Sequence, residues 1–129
     1  MIKRGIFYFI IVLLVASSGC SQKPEEYINK GITKYNLQDY RGAIVDYTKA
    51  IELDPDYAMA YCGRGLAKYN LQDYREAIAD YTKAVGLDPD YAIAYCDRGA
   101  AKSILLDYNG AITDYTKAIE LDPNDADIY

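Results

Sequence analysis

The sequence is built on an internal repeat. The decapeptide DYTKAIELDP at residues 46–55 recurs unchanged at residues 114–123, and a close copy, DYTKAVGLDP, stands at residues 80–89. The prolines that end the three copies are 34 residues apart: Pro55, Pro89 and Pro123. A fixed period of this length is typical of chains made of stacked, similar units. Each unit buries its apolar surface against its neighbours, so the repeat constrains the fold more than any other feature.

Each period is predicted to hold two helices. In residues 57–72, the spacing of three or four that places side chains on one face of a helix is seen at Ala58, Tyr61, Gly65 and Lys68. Residues 74–87 have an apolar face with the same period. Asp73 stands where it can cap the second helix, and Pro89 ends this helix because the residue before a proline is pushed out of helical geometry.

Small residues indicate how the two helices of a period meet. Gly65 lies inside the first helix, where glycine costs about 1 kcal/mol relative to alanine, so we expect a packing reason for it. We predict a close approach of the second helix through Ala77 and Ala84, with Tyr61 and Tyr81 filling the wider gaps. The other two periods repeat these residue types at Gly31, Ala43, Ala50, Tyr27 and Tyr47, and at Gly99, Ala111, Ala118, Tyr95 and Tyr115.

The repeated unit resembles the tetratricopeptide repeat. Counted from Pro24, Ala58 and Ala92, each unit of 34 residues has tyrosine at positions 4, 17 and 24 and glycine at position 8. It also has alanine at positions 20 and 27 and proline at position 32. The resemblance defines three repeats, residues 24–57, 58–91 and 92–125, and leaves residues 126–129 as the start of an incomplete fourth. It implies an all-α fold, a right-handed α-α superhelix, or solenoid, of three helix-turn-helix repeats.

The resemblance also implies a binding surface. In this family the first helices line a concave groove that holds a polypeptide partner. The groove positions are occupied here by Ile28, Ile32, Tyr35, Asn36, Met59, Cys62, Leu66, Tyr69, Asn70, Ile93, Cys96, Ala100 and Ser103. This largely apolar lining would suit an apolar or amphipathic peptide or helix, with Asn36 and Asn70 bonding its backbone. The alternative is that part of the apolar stripe packs within the superhelix.

One well-known specificity of the family is not expected. Tetratricopeptide domains that clamp a terminal carboxylate use lysine, asparagine and arginine side chains at five groove positions. This chain has Ile28, Ile32, Gly63, Ile93 and Asp97 at those positions. A carboxylate clamp therefore cannot be assembled from them.

Charged residues recur in the same register. The basic residues lie at positions 7 and 11 of the units: Lys30, Arg64 and Arg98, then Lys34, Lys68 and Lys102. An aspartate recurs in each second helix: Asp46, Asp80 and Asp114. We interpret the two series as a ladder of exposed ion pairs between paired helices, each contributing about 0–1 kcal/mol. A basic binding stripe is the alternative.

Composition argues against several functions. The chain has no histidine, the commonest general base and metal ligand, and it has no glycine-rich phosphate loop. We therefore predict no enzyme activity, no cofactor and no metal site. The net charge of −5 would repel phosphate backbones, so no nucleic-acid partner is expected.

The two cysteines of the repeats, Cys62 and Cys96, occupy the same position of neighbouring first helices. The axes of such helices lie about 8–10 Å apart, whereas a disulfide needs Cα atoms roughly 4.4–6.8 Å apart. We predict two thiols that line the groove. A bridge to a second molecule is the alternative.

The N-terminus has the features of an export signal. Lys3 and Arg4 precede the apolar run Ile6–Ala16, whose eleven residues are fewer than the roughly twenty that span a membrane. A basic start, a short apolar core and small residues are typical of a signal peptide, which we assign to residues 1–19. A single uncleaved anchor is the alternative.

The end of this segment, SSGC, is similar to the lipobox of bacterial lipoproteins. The resemblance implies that Cys20 is lipidated and that residues 20–23 form a tether to the membrane. Ser17 departs from the usual leucine of this motif. Ser21 after the cysteine implies export to the outer membrane, facing the periplasm, in an organism that has one.

The last helix raises a separate question. Without a complete fourth repeat, it would expose the side that carries Ile112 and Ile119. Either this side pairs with another molecule, including a second copy of the chain, or the sequence is a truncated gene product.

These features predict a membrane-tethered adaptor or assembly scaffold that binds a peptide or helix of a protein partner in its groove. One alternative is an accessory subunit that regulates a cell-envelope enzyme. Another is a truncated fragment of a longer tetratricopeptide protein.

Overall fold

The computed structural model describes residues 21–124, which form six α-helices and no strands. The helices are α1 (Pro24–Asn36), α2 (Tyr40–Leu53), α3 (Ala58–Asn70), α4 (Tyr74–Leu87), α5 (Ala92–Ile104) and α6 (Tyr108–Leu121). The predicted signal peptide, Cys20 and the start of the fourth repeat lie outside the described residues. The prediction of an all-α helical repeat fold is confirmed.

The helices pack in the order in which the chain makes them. Each helix contacts the next one, and the closest pairs are α1 with α2, α3 with α4, and α5 with α6. In addition, α3 contacts both α1 and α5. Because the first helices of the pairs are drawn together, they form the inner side of the stack, and the second helices lie along its outer side.

Aspartate caps two of the three second helices. The carboxylates of Asp39 and Asp107 each accept a hydrogen bond at 3.0 Å from the backbone N–H three residues later, which belongs to a glycine in both cases. A Cβ atom on that glycine would collide with the capping carboxylate. In α4 this place is taken by Glu76, and Asp73 makes no cap hydrogen bond through its side chain. Asp73 is the N-cap residue, as predicted, but its carboxylate does not cap the helix.

The turn within each helix pair passes through a left-handed backbone conformation. The residues are Gln38, Gln72 and Leu106, with φ of 61°, 64° and 68°. In the first pair, the N–H of Asp39 donates to the carbonyl of Lys34 at 2.8 Å, and the N–H of Gln38 donates to that of Tyr35 at 2.9 Å. These two bonds define a Schellman motif, which favours glycine at the left-handed residue. Leu106 is therefore strained, and at 70% exposure it gains little from burial.

The glycine inside each first helix admits a tyrosine ring from the paired helix. A Cβ atom on Gly65 would lie 2.9 Å from Cε1 of Tyr81 and 3.3 Å from the carbonyl oxygen of Ala77. Gly31 faces Tyr47 and Gly99 faces Tyr115 in the same manner. The predicted alanines are all buried: Ala43, Ala50, Ala77, Ala84, Ala111 and Ala118. The predicted close packing is confirmed, and the tyrosine ring is the group nearest to the glycine.

Buried aspartates hold the helix pairs together. Arg64 donates to both carboxylate oxygens of Asp80, at 2.9 Å and 2.7 Å, and Lys68 lies 2.9 Å from one of them. Arg64 also donates to Thr48 of the preceding repeat at 3.3 Å, so this cluster joins neighbouring repeats. In the third repeat the corresponding partners of Asp114 are Arg98 and Lys102, at 2.6–2.9 Å.

The ion-pair interpretation is confirmed, with two corrections. The aspartates are buried rather than exposed: the exposed fractions are 7% for Asp46, 5% for Asp80 and 2% for Asp114. In the first repeat, Lys34 reaches Asp46 at 2.8 Å without hydrogen-bond alignment, whereas Lys30 pairs with Glu26 at 2.7 Å. The basic residues at these positions are thus engaged in ion pairs, which leaves no basis for a separate binding stripe.

Candidate peptide-binding groove

The residues predicted to line the groove lie on α1, α3 and α5. Five of them are exposed: Ile32, Asn36, Met59, Asn70 and Ile93. Six are half-buried: Tyr35, Leu66, Tyr69, Cys96, Ala100 and Ser103. The remaining two, Ile28 and Cys62, are buried members of the hydrophobic core. The apolar stripe therefore contributes partly to the core and partly to the surface.

One cleft runs across all three first helices. Its volume is about 190 Å³. Six of the predicted groove residues line it: Ile28, Ile32, Met59, Cys62, Leu66 and Ile93. The other lining residues are Tyr47, Gly63, Tyr91 and Asp97. Filling such a cleft with an apolar side chain removes apolar surface from water, which is favourable by about 25 cal/mol per Å².

A smaller cavity lies beside this cleft. It has a volume of about 140 Å³ and is enclosed by Leu66 and Tyr69 of α3, Tyr81 of α4, and Asp97 and Ala100 of α5. Leu66 and Asp97 line both the cleft and the cavity, so the two spaces adjoin each other. A single ligand could occupy the two together.

Asp97 places a carboxylate in this apolar surrounding. Burial raises the pKa of Asp97 to about 6. Burial also raises the pKa of the Cys62 thiol to about 12 and raises the pKa of the Tyr81 and Tyr91 hydroxyls. The first cause of each shift is burial of the group itself, which disfavours its charged form. At neutral pH Asp97 is nevertheless mostly ionised, because its pKa lies below 7.

Asp97 and Tyr81 are not among the residues predicted to line the groove. The sequence signal for Asp97 is its difference from Asn29 and Gly63, which hold the same position in the other repeats. Tyr81 lies on a second helix, where its sequence position predicts a packing role. Only the three-dimensional arrangement shows that it also borders the cavity on the inner side.

Aromatic and amide groups shape one end of the groove. Asn70 donates through Nδ2 to the Tyr35 hydroxyl at 2.8 Å and to the Leu66 carbonyl at 2.9 Å. Its amide N–H groups thus link α1 to α3. Tyr35 and Tyr69 pack edge-on against the first tyrosines of α2 and α4, with ring centroids 5.3 Å and 5.2 Å apart. In the third repeat Ser103 replaces this tyrosine, so the aromatic wall ends there.

Other candidate chemistries find no support in the described part of the chain. Cys62 and Cys96 are not joined by a disulfide, and Cys62 is buried. Residues 21–124 contain no cluster of acidic or cysteine side chains that could hold a metal ion. Within the same residues, no helix has the length and apolar character needed to cross a membrane.

A stack of paired helices with an apolar groove on its inner side defines a helical repeat protein of the interaction type. Sequence comparison agrees with this class. A family model described as TPR repeat matches residues 31–72, and one described as tetratricopeptide repeat matches residues 58–91 and 92–125. The chain belongs to the tetratricopeptide repeat family, whose members are interaction modules and, as a rule, not catalysts.

Solved structures give the same result. The first TPR of Spaghetti (RPAP3), bound to the HSP90 peptide SRMEEVD, is 33% identical with a TM-score of 0.81, over 84% of this chain and 86% of that one. The Arabidopsis OM64 TPR domain is 32% identical with a TM-score of 0.80, over 81% and 87%. The TPR2B domain of yeast Sti1, in a complex with pHsp70, is 31% identical with a TM-score of 0.77, over 79% and 82%. No curated protein sequence matches the chain.

Proposed function

We propose that the chain is an adaptor or assembly scaffold that binds a peptide or helix of a partner protein in the groove formed by α1, α3 and α5. The observation that carries this proposal is the continuous cleft and cavity lined by Ile32, Met59, Leu66, Tyr69 and Ile93. Exposed apolar side chains gathered in a concave surface favour polypeptide binding. Related domains with this fold are bound to a peptide of HSP90 and to pHsp70, which supports a role in binding a polypeptide.

We propose that the adaptor acts at a membrane, tethered through lipid on Cys20 and exported to the periplasmic side of the outer membrane. This part rests on the sequence similarity of residues 1–20 to bacterial lipoprotein signals. Metabolic labelling with a radioactive fatty acid tests it. Wild-type protein should carry label and sediment with outer membranes, and Cys20→Ala should lose both properties. Label that persists in Cys20→Ala would contradict the assignment.

The groove is tested by crosslinking in native membranes, followed by purification of the full chain with its partners. The variant Leu66→Ser with Tyr69→Ala changes one residue that lines both the cleft and the cavity and one that lines the cavity, and it should abolish the crosslink to a partner. The control is Val45→Ser, because Val45 is 66% exposed on the outer helix α2 and its change is also apolar to polar. Loss of the partner in the control as well would contradict groove binding. A partner enzyme of the cell envelope would favour the accessory-subunit function.

The outer side of α6 is a second proposed contact, for self-association. Ile112 is 63% exposed there, whereas the equivalent Ile44 and Ile78 are half-buried. Thr116 donates to the carbonyl of Ile112 at 2.8 Å, whereas its counterpart Thr48 accepts from an arginine of the next repeat. Light scattering should show concentration-dependent dimers of the wild type and a monomer for Ile112→Ser. A wild type that stays monomeric at high concentration would contradict self-association.

A further inference from the structure

Two polar groups without partners border the smaller cavity. Tyr81 is 0% exposed, and its hydroxyl has no hydrogen-bond partner among the described residues. Within residues 21–124 the Asp97 carboxylate likewise accepts no hydrogen bond and forms no ion pair. Buried polar groups in folded proteins are almost always partnered, and each exception requires an explanation. The Tyr81 hydroxyl is such an exception, and the half-buried carboxylate of Asp97 lines the same cavity as Tyr81.

Among residues 21–124, no basic side chain forms an ion pair with Asp97. The ionisable groups influenced by its charge are Tyr35 of α1, Cys62 and Tyr69 of α3, Tyr81 of α4, Tyr91 before α5, and Tyr115 of α6. All of them are neutral acids at physiological pH. The nearest basic residues in sequence, Arg98 and Lys102, are bound to Asp114. Asp97 therefore presents a negative charge without a basic partner among the described residues, on the wall of a largely apolar cleft.

We propose that the cavity receives a lysine or arginine side chain of the bound peptide, with the Asp97 carboxylate as its counter-ion and hydrogen-bond acceptor. This inference rests on the proposed function and names the chemistry of its partner. The ring of Tyr69 forms part of the cavity wall and is suited to a cation–π contact with the same group. A guanidinium or ammonium group donates several hydrogen bonds, and a carboxylate offers two oxygens to accept them.

Apolar residues on either side of this cation would occupy the adjoining cleft. That cleft is lined by Ile28, Ile32, Met59 and Ile93, and it shares Asp97 with the cavity. The recognised segment is thus a basic residue flanked by apolar ones. This specificity is opposite in charge to the acidic end of SRMEEVD, the HSP90 peptide bound by the first TPR of Spaghetti. The groove would repel such a peptide through Asp97.

Selection from a displayed library of random nonapeptides tests the inference. The baits are the full chain in detergent, its Asp97→Asn variant, and Glu120→Gln as a control that removes a charge from an exposed site on α6. Wild type and Glu120→Gln should enrich peptides with lysine or arginine at one shared position. Asp97→Asn should enrich apolar peptides without this preference. Enrichment by wild type without a basic preference would overturn the inference and leave the proposed function intact, whereas no enrichment by any bait would overturn the proposed function itself.

A second measurement requires no variant of the protein. Replacing the basic residue of a selected peptide by norleucine should weaken binding about tenfold or more, since a hydrogen-bonded charge pair is lost. On acidification from about pH 7.5 to about pH 5, the basic peptide should lose affinity as Asp97 is protonated, and the norleucine peptide should not. Equal affinities of the two peptides, or equal responses to pH, would overturn the inference.

Discussion

Replacing Asp97 by asparagine should stabilise the free protein at neutral pH. The pKa of Asp97 is about 6 in the folded chain, against an ordinary value of 3.8, so the folded state binds the proton more tightly than the unfolded state. A difference of roughly two units corresponds to about 3 kcal/mol of lost stability above both pKa values. Because Asp97 is only half-buried, solvent screening reduces this figure, and we expect a gain of about 1–3 kcal/mol for Asp97→Asn.

The gain should disappear in acid. Below the ordinary pKa of 3.8 the carboxyl is protonated in both states and resembles asparagine in charge and shape, so the two proteins should be equally stable. The difference should grow as the pH rises from 3.8 to about 6 and stay constant above. The thiol and tyrosines around Asp97 all have raised pKa values, so they do not titrate in this interval.

Asp114 shows the opposite behaviour and must be separated from Asp97. Burial acts to raise the pKa of Asp114, but hydrogen bonds and charges of Arg98 and Lys102 outweigh burial and lower it. Its contribution to stability is present above its unfolded pKa and is lost as the pH falls through the lower folded value. Because Asp114 is the same in both proteins, its contribution cancels when the two stabilities are subtracted.

Urea denaturation of wild type and Asp97→Asn at a series of pH values measures this difference. The control is Glu120→Gln, which changes net charge equally from an exposed position on α6. We expect the control to show no pH-dependent gain. An Asp97→Asn protein that is less stable than wild type at pH 7, or whose gain does not vary with pH, would refute the burial of an uncompensated charge.

Four further substitutions test the scaffold by thermal or urea denaturation. Gly65→Ala should lower the free energy of unfolding by about 1–3 kcal/mol, because the new Cβ would lie 2.9 Å from the Tyr81 ring. Gly86→Ala, whose Cβ meets nothing within 4 Å, should raise the free energy of unfolding by about 0.5–1 kcal/mol. Equal effects would contradict the glycine–tyrosine packing. Leu106→Gly should stabilise by about 1 kcal/mol by relieving the left-handed backbone, and a loss of stability would contradict that strain. Arg98→Lys should destabilise by about 1–2 kcal/mol because one of two hydrogen bonds to a buried carboxylate is lost; an unchanged midpoint would show that the second bond adds nothing.

Local sequence patterns determined most of the fold. The period of 34 residues, the apolar helix faces and the small residues at fixed positions specify which surfaces meet, so the helix pairs and the glycine–tyrosine contacts were predictable. The burial of Asp80 was less predictable. The recurrence of an aspartate at this position indicated an ion pair with a basic residue, but the burial depends on α2, α3 and α4, which meet around the carboxylate. The N-terminal cap of α4 also depends on a second residue. Asp73 makes no side-chain cap hydrogen bond there, and Glu76 stands where the other two second helices have glycine.

The groove was less predictable than the scaffold for a physical reason. Residues that pack the repeats are alike because the same contacts recur in each helix pair, whereas residues on the surface of the groove are not held to one type by this packing and can differ. The clearest case is position 6 of each repeat: Asn29, Gly63 and Asp97. Between the first and second repeats, a Cβ on Gly63 would lie 2.6 Å from the Tyr47 ring. Between the second and third repeats, Asp97 has the equivalent position and lines a cavity together with Tyr81. The stack of nearly identical repeats thus has an asymmetric inner surface, with apolar walls towards α1 and a carboxylate on α5, and this asymmetry would fix the direction in which a peptide lies.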